Sequence, residues 1–98
     1  MENIYAMQRA NGDWFAFDDR GRFLVPIFRS SRDAMISRSH NVEMLLFKPV
    51  ALDTRLLEQL VPAGGRGDVD FRIVNDPGAK LNRGTLVELA HVESLVAT

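Results

Sequence analysis

The first 28 residues are cut into three short stretches by two turn clusters, and no other feature constrains the fold as strongly. Asn11-Gly12 separates residues 3–9 from residues 14–18. It is the strongest short-range hairpin signal, because both residues accept positive φ. Asp18-Asp19-Arg20-Gly21 then separates residues 14–18 from residues 22–28. Each stretch is rich in aromatic and β-branched residues and too short for an independent helix. The pattern predicts three strands in an antiparallel meander. Within Trp14-Phe15-Ala16-Phe17, strand alternation places Phe15 and Phe17 on one face and Trp14 and Ala16 on the other. Pro26 cannot donate to a ladder, which predicts an edge position or one near the third strand's end.

Helical signals begin after Phe28. Ser30 and Ser31 precede Arg32-Asp33-Ala34-Met35, with the serine-to-acid spacing of a capping box. The spacing predicts a helix over 31–39, closed by Asn41. Residues 43–48 read as a fourth strand, with Pro49 weakening the ladder just after it. Asp53 is an N-cap for a second helix, whose Leu56, Leu57, Leu60 and Val61 recur at helical spacing and form one apolar stripe. Pro62 and the run Ala63-Gly64-Gly65-Arg66-Gly67 end it. Residues 69–75 alternate, with Val69, Phe71 and Ile73 facing inward and Asp70 and Arg72 outward. The tail fits either one helix over 84–97 or a strand at 84–89 and a helix at 91–97. Thr85 and Val87 tip the balance toward strand then helix. The expected fold is α+β in a single domain over 1–98: a mostly antiparallel sheet carrying two or three short helices.

Composition narrows the function classes. Twelve basic and thirteen acidic residues give a formal charge of −1, which argues against a polyanion binder and hence against nucleic acid as a partner. No cysteine is present, so disulfides, thiolate zinc sites and cysteine nucleophiles are excluded. A small domain without such staples fits a reducing cytoplasm. The N-terminus lacks a basic region followed by a long apolar core, so no signal peptide is expected. The longest apolar run, Phe23–Phe28, falls far short of the roughly 20 residues of a membrane helix.

The string Leu24-Val25-Pro26-Ile27-Phe28-Arg29-Ser30-Ser31-Arg32-Asp33-Ala34 resembles the core of SseB-like domains and related small bacterial domains of unknown function. There a hairpin displaying an aromatic residue feeds a strand reading roughly Val-Pro-Val-Phe, and a Ser-capped helix follows. Trp14–Asp18, Asp53–Leu57 and Gly84–Leu89 stand in the matching order. The similarity covers most of the chain in element order and few residues in detail. It implies an α+β fold and carries over no catalytic residue. The chain is shorter than many such domains, and its glycine-rich loop at 64–67 is its own.

Three features bear on chemistry. Arg29, Ser30, Ser31, Arg32, Arg38 and His40 concentrate positive charge and hydroxyls around a helix start, the makings of a phosphate or carboxylate site. The alternative is a solvated face whose arginines pair with Asp18, Asp19 and other acids. His40 and His91, the only histidines, would need carboxylates such as Glu43, Glu88 or Glu93 to hold a metal, and no ligand motif joins them. No hydrolase elbow, Walker loop or zincin string is present, so neither a catalytic residue nor a cofactor is assigned. Gly64-Gly65-Arg66-Gly67-Asp68 lacks a Gly-Lys-Ser/Thr ending and lies between a helix and a strand, the wrong order for a phosphate loop.

The third feature is aromatic. A strand carrying Trp14 on one face and Phe17 on the other cannot bury both faces in one thin layer. Either helices cover both faces, or Tyr5, Trp14 and Phe17 meet a partner. These observations point to a cytoplasmic, non-enzymatic interaction or accessory domain, with a protein partner or a second copy in a homodimer. An anion-binding module using residues 29–38 is the second class, and a small enzyme the third.

Overall fold

A computed structural model describes residues 3–19, 21–61, 69–78 and 85–96. The glycine-rich loop, Pro62, Arg20, Gly84 and the side chain of Asp19 lie outside the described residues. The chain runs β1 (Tyr5–Arg9), β2 (Phe17–Asp19), β3 (Arg22–Ile27), α1 (Ser31–His40), a 3-10 turn (Val42–Met44), β4 (Phe47–Ala51), α2 (Thr54–Leu60), β5 (Val69–Ile73), β6 (Thr85–Val87) and α3 (Leu89–Val96). The expected α+β class is what forms, and the tail is strand then helix.

Strand pairing departs from a simple meander. β2 and β3 form the expected hairpin, with Phe17 opposite Leu24 and Asp19 opposite Arg22. Gly21 closes it at φ +83°, where its amide donates to Asp18 Oδ1. The first hairpin is shorter. Ala10, Asn11 and Gly12 form a three-residue loop, with Gly12 at φ +96° and Arg9 N–H donating to Asp13 O. The return segment pairs with β1 only around the Gln8–Trp14 bridge, which the Arg9 N–H to Asp13 O and Phe15 N–H to Met7 O bonds flank. It then crosses to β3 as β2. β1 takes β4 as its antiparallel ladder partner instead. β3 pairs in parallel with β5, and β5 antiparallel with β6. A Tyr5–Phe28 bridge ties the β1–β4 pair to the four-stranded β2-β3-β5-β6 sheet.

The two prolines inside strands, Pro26 and Pro49, occupy positions where no donor is needed. Ile27 C=O accepts from Val74 on the β5 side, and Phe28 N–H donates to Tyr5 on the other. By strand alternation Pro26 faces that second side, in the gap between Leu24, the last residue paired with β2, and Phe28, the residue bridged to β1. It therefore lies near the end of β3, although β3 is central in the sheet. Pro49 corrects an expectation, since it lies inside β4 and not after it. Met7, its partner, directs its carbonyl to Phe15, so the Met7–Pro49 pair makes no ladder bond and Pro49 presents its nitrogen to the outer edge.

Alternation along the strands builds two cores. Ile4, Ala6, Val25, Ile27, Phe71 and Ile73 face α2 and α3 and are buried with Leu57, Val61 and Val92. Met7, Phe15, Phe28 and Val74 face α1 and the 3-10 turn, buried with Ala34 and Met44. The sheet is thus a middle layer with helices on both sides. Trp14 and Ala16 pack on the first core and Phe17 on the second, so the two-faced aromatic strand has both faces covered.

Candidate functional site

Helix α1 determines where the expected anion-site residues go. Ser30 is its N-cap, with Oγ accepting from Asp33 N–H at 3.0 Å. That hydroxyl satisfies a helix-terminal donor. Ala34 and Ser37 form the buried face, small enough to bring α1 close to β1 and β4. Asn41 closes the helix, its Nδ2 donating to Ser37 O at 2.7 Å.

The six residues do not converge. Arg29 precedes the helix beside a small cavity of about 40 Å³ lined by Ile4, Ile27, Phe28 and Leu95. Ser31 and Arg32 occupy the first turn and are exposed. Arg38 lies six residues beyond Arg32, about 9 Å along the axis. Its Nε and Nη2 both donate to Leu45 O, at 3.2 and 2.6 Å, and Nη1 lies 4.0 Å from Met35 Sδ. Arg38 is thus a clamp on the turn after Met44. His40 turns toward the connection after β5, where its Nε2 stands 4.0 Å from the position a Cβ on Gly78 would occupy. His91 lies on α3, across the sheet. Among the described residues, no three His, Asp or Glu side chains gather as a metal site.

One of the arginines finds an acid other than Asp18 or Asp19. Arg22 donates to both carboxylate oxygens of Asp70 at 2.7 Å. This hydrogen bonding holds the Asp70 carboxyl below its ordinary value, with burial opposing. Arg9 does the same to Asp13 through a 2.6 Å contact, with Asn11 assisting. Asp18 caps the Gly21 amide.

Apolar exposure is where the site emerges. Tyr5, Trp14 and Phe17 are half-buried against the cores. Among the described residues, the exposed large apolar side chains are Phe23, Leu86 and a cluster along α1 and the turn after it, Met35, Val42, Leu45 and Leu46. Arg38 joins that cluster by touching Met35 and holding Leu45. Of residues 43–48, expected as a strand, only Phe47 and Lys48 belong to one, β4; Glu43 and Met44 end the 3-10 turn, and Leu45 and Leu46 make a further turn. Phe47 is pinned there by an edge-to-face contact with Phe15 at 5.2 Å and by the Arg9 guanidinium 5.3 Å above its ring. Met44 is buried, so the intervening Leu45 and Leu46 are displayed outward. The sequence signal for this was the run Met44-Leu45-Leu46-Phe47, more apolar than a half-buried strand accommodates.

On the far side of the sheet, a groove of about 210 Å³ separates α2 from α3. Leu57, Val61, Leu89 and Val96 form its floor, with Glu58 and Glu93 on its walls. None of the helices among the described residues is long and apolar enough to cross a membrane. No protein-family model matches this chain, and no curated protein matches it.

Proposed function

We propose that this chain is a cytoplasmic protein-interaction domain without a catalytic site of its own, and that Met35, Val42, Leu45 and Leu46 form its contact surface. The observation that carries the reading is the display of Val42 and Leu46, 75% and 77% exposed, beside Leu45 and Met35. Burying one such side chain is worth about 1.5–3 kcal/mol, so a cluster of them supplies the driving force of a small interface. The Arg38 clamp on Leu45 O holds the turn in shape before binding, which lowers the ordering cost of association. The resemblance of Leu24–Ala34 to SseB-like domains suggests an accessory role in a bacterial cell.

A photo-crosslinking amino acid placed at position 46, and separately at position 55 on α2, tests the reading in cells. Adducts are expected from position 46, absent from position 55, and lost when Leu45→Glu is added. Equal adducts from both positions, or none from position 46, overturn it.

A further inference from the structure

We infer that Asn11-Gly12 is a modification site under the control of the fold: the pair deamidates spontaneously when the first hairpin opens, and the hydrogen bonds of the closed loop suppress the reaction.

The reaction needs only water and follows from which two residues are adjacent. The Gly12 backbone nitrogen gives up its proton and attacks Asn11 Cγ. A C–N bond forms, a succinimide ring closes, and the Cγ–Nδ2 bond breaks with Nδ2 leaving as ammonia. Water then opens the ring. Breaking the bond from the Gly12 nitrogen to Cγ leaves aspartate at position 11, and breaking its bond to the Asn11 main-chain carbonyl carbon leaves isoaspartate. Water is consumed, ammonia is released, and nothing is oxidised or reduced. Glycine permits this most readily, because no Cβ stands beside the attacking nitrogen and its backbone reorients freely. The other asparagines are followed by Ile4, Val42, Asp76 and Arg83, whose side chains crowd the nitrogen that must attack.

The folded loop withholds each group the reaction requires. Asn11 and Gly12 are exposed, so water has access and protection must come from geometry. Gly12 N–H donates to Arg9 O at 3.0 Å, and removing its proton would set a bare amide nitrogen against a carbonyl oxygen. Asn11 Oδ1 accepts from Asp13 N–H at 3.0 Å, and Nδ2 donates to Asp13 Oδ2 at 3.1 Å. The side-chain amide is thus held at both of its polar atoms, and these bonds must break before Cγ can turn onto the Gly12 nitrogen. Their anchor is itself fixed. Asp13 Oδ2 also accepts from Arg9 Nη2 at 2.6 Å, and Gln8 Nε2 donates to Gly12 O at 3.0 Å. Local opening therefore gates the reaction, and its equilibrium constant multiplies into the rate.

Modification also changes the loop. Aspartate at position 11 puts a carboxylate oxygen where Nδ2 donated to Asp13 Oδ2, like charge against like. Isoaspartate lengthens the main chain inside a loop whose ends are fixed by Arg9 N–H on Asp13 O. A molecule that has opened and reacted carries a weakened hairpin after it refolds.

Peptide mapping of the full chain by mass spectrometry tests this, counting aspartate and isoaspartate at position 11 against time in mildly alkaline buffer. Wild type is compared with Asp13→Ala, each folded and each in urea. Asp13 is exposed, and unchanged circular dichroism verifies the variant's fold. In urea both chains should deamidate at position 11 at the same rate, far ahead of Asn41 and Asn75. Folded wild type should react roughly tenfold more slowly, or slower still, since opening breaks several hydrogen bonds of ordinary net strength. Folded Asp13→Ala should fall between. Product isolated from urea and refolded should unfold at a lower urea concentration than the unmodified chain. The inference is overturned if folded and unfolded wild type react alike, or if position 11 is inert in urea. It is also overturned if folded Asp13→Ala is as slow as folded wild type, or if the refolded product is as stable as the unmodified chain.

Discussion

Truncating Leu57 and Leu60 separately gives a clean comparison, because the two share a helix, a chemistry and an apolar stripe but not a degree of burial. Leu57 is 5% exposed and belongs to the core between α2, α3 and the sheet, while Leu60 is only partly buried against it. Leucine to alanine removes three carbons, about 2.4 kcal/mol of transfer free energy when the side chain is fully buried. A cavity term normally adds to this and carries such substitutions toward 5 kcal/mol. Leu57, however, lines the open groove, where solvent and neighbouring side chains can enter the space it leaves. Leu57→Ala should therefore cost about 2.5–3 kcal/mol and Leu60→Ala about 1 kcal/mol. With a urea slope of about 1.2 kcal/mol/M, these correspond to midpoint shifts of roughly 2 M and 0.8 M. A domain of this size holds only about 5–10 kcal/mol, so the first variant should be folded but fragile. Equal shifts for the two, or a Leu57→Ala cost below about 1 kcal/mol, would refute the docking of α2 through Leu57.

Other perturbations isolate single interactions. Ser30→Ala removes the acceptor for Asp33 N–H and should cost about 1 kcal/mol in urea melts, with Ser30→Gly much milder. Arg38→Gln releases Leu45 O, so amide exchange over residues 42–46 should quicken more than exchange in β3 or β5; a uniform change would show that Arg38 does not clamp the turn. Asp70 titrates below its ordinary value because Arg22 hydrogen-bonds its carboxylate, so the pair stabilises fully above about pH 4 and its contribution fades as pH falls through the lowered value. The stability gap between wild type and Arg22→Met, at most about 1 kcal/mol for so exposed a pair, should accordingly close in acid and persist at pH 7. Since Arg29, Arg32 and Arg38 do not converge, their joint replacement by Gln should leave sulfate stabilisation, measured against chloride at matched ionic strength, unchanged. A loss of that stabilisation in the variant would restore the anion-site reading.

Local chemistry determined much of this protein. Gly12 and Gly21 turn where their freedom at positive φ is required, Ser30 and Asp53 cap the helices that follow them, and the stripe of Leu56, Leu57 and Leu60 packs where its spacing points. Such features depend on a few neighbouring residues, and their free energies are nearly independent of the rest of the chain. The alternation of Trp14, Phe15, Ala16 and Phe17 was equally legible, but which layers would receive the two faces was not. Only tertiary structure decided that β1 would pair with β4, that β3 would pair in parallel with β5, and that helices would close over both faces. Pairing partners far apart in sequence are selected by the joint burial of two cores, and no local preference encodes that sum. The contact cluster followed from the same choice. With Phe47 drawn to Phe15 and Met44 buried beneath α1, Leu45 and Leu46 had no interior left to enter. The helix carrying Arg32 and Arg38, which local sequence could predict, spaces them too far apart for one site, and the turn that Arg38 clamps formed only through long-range packing.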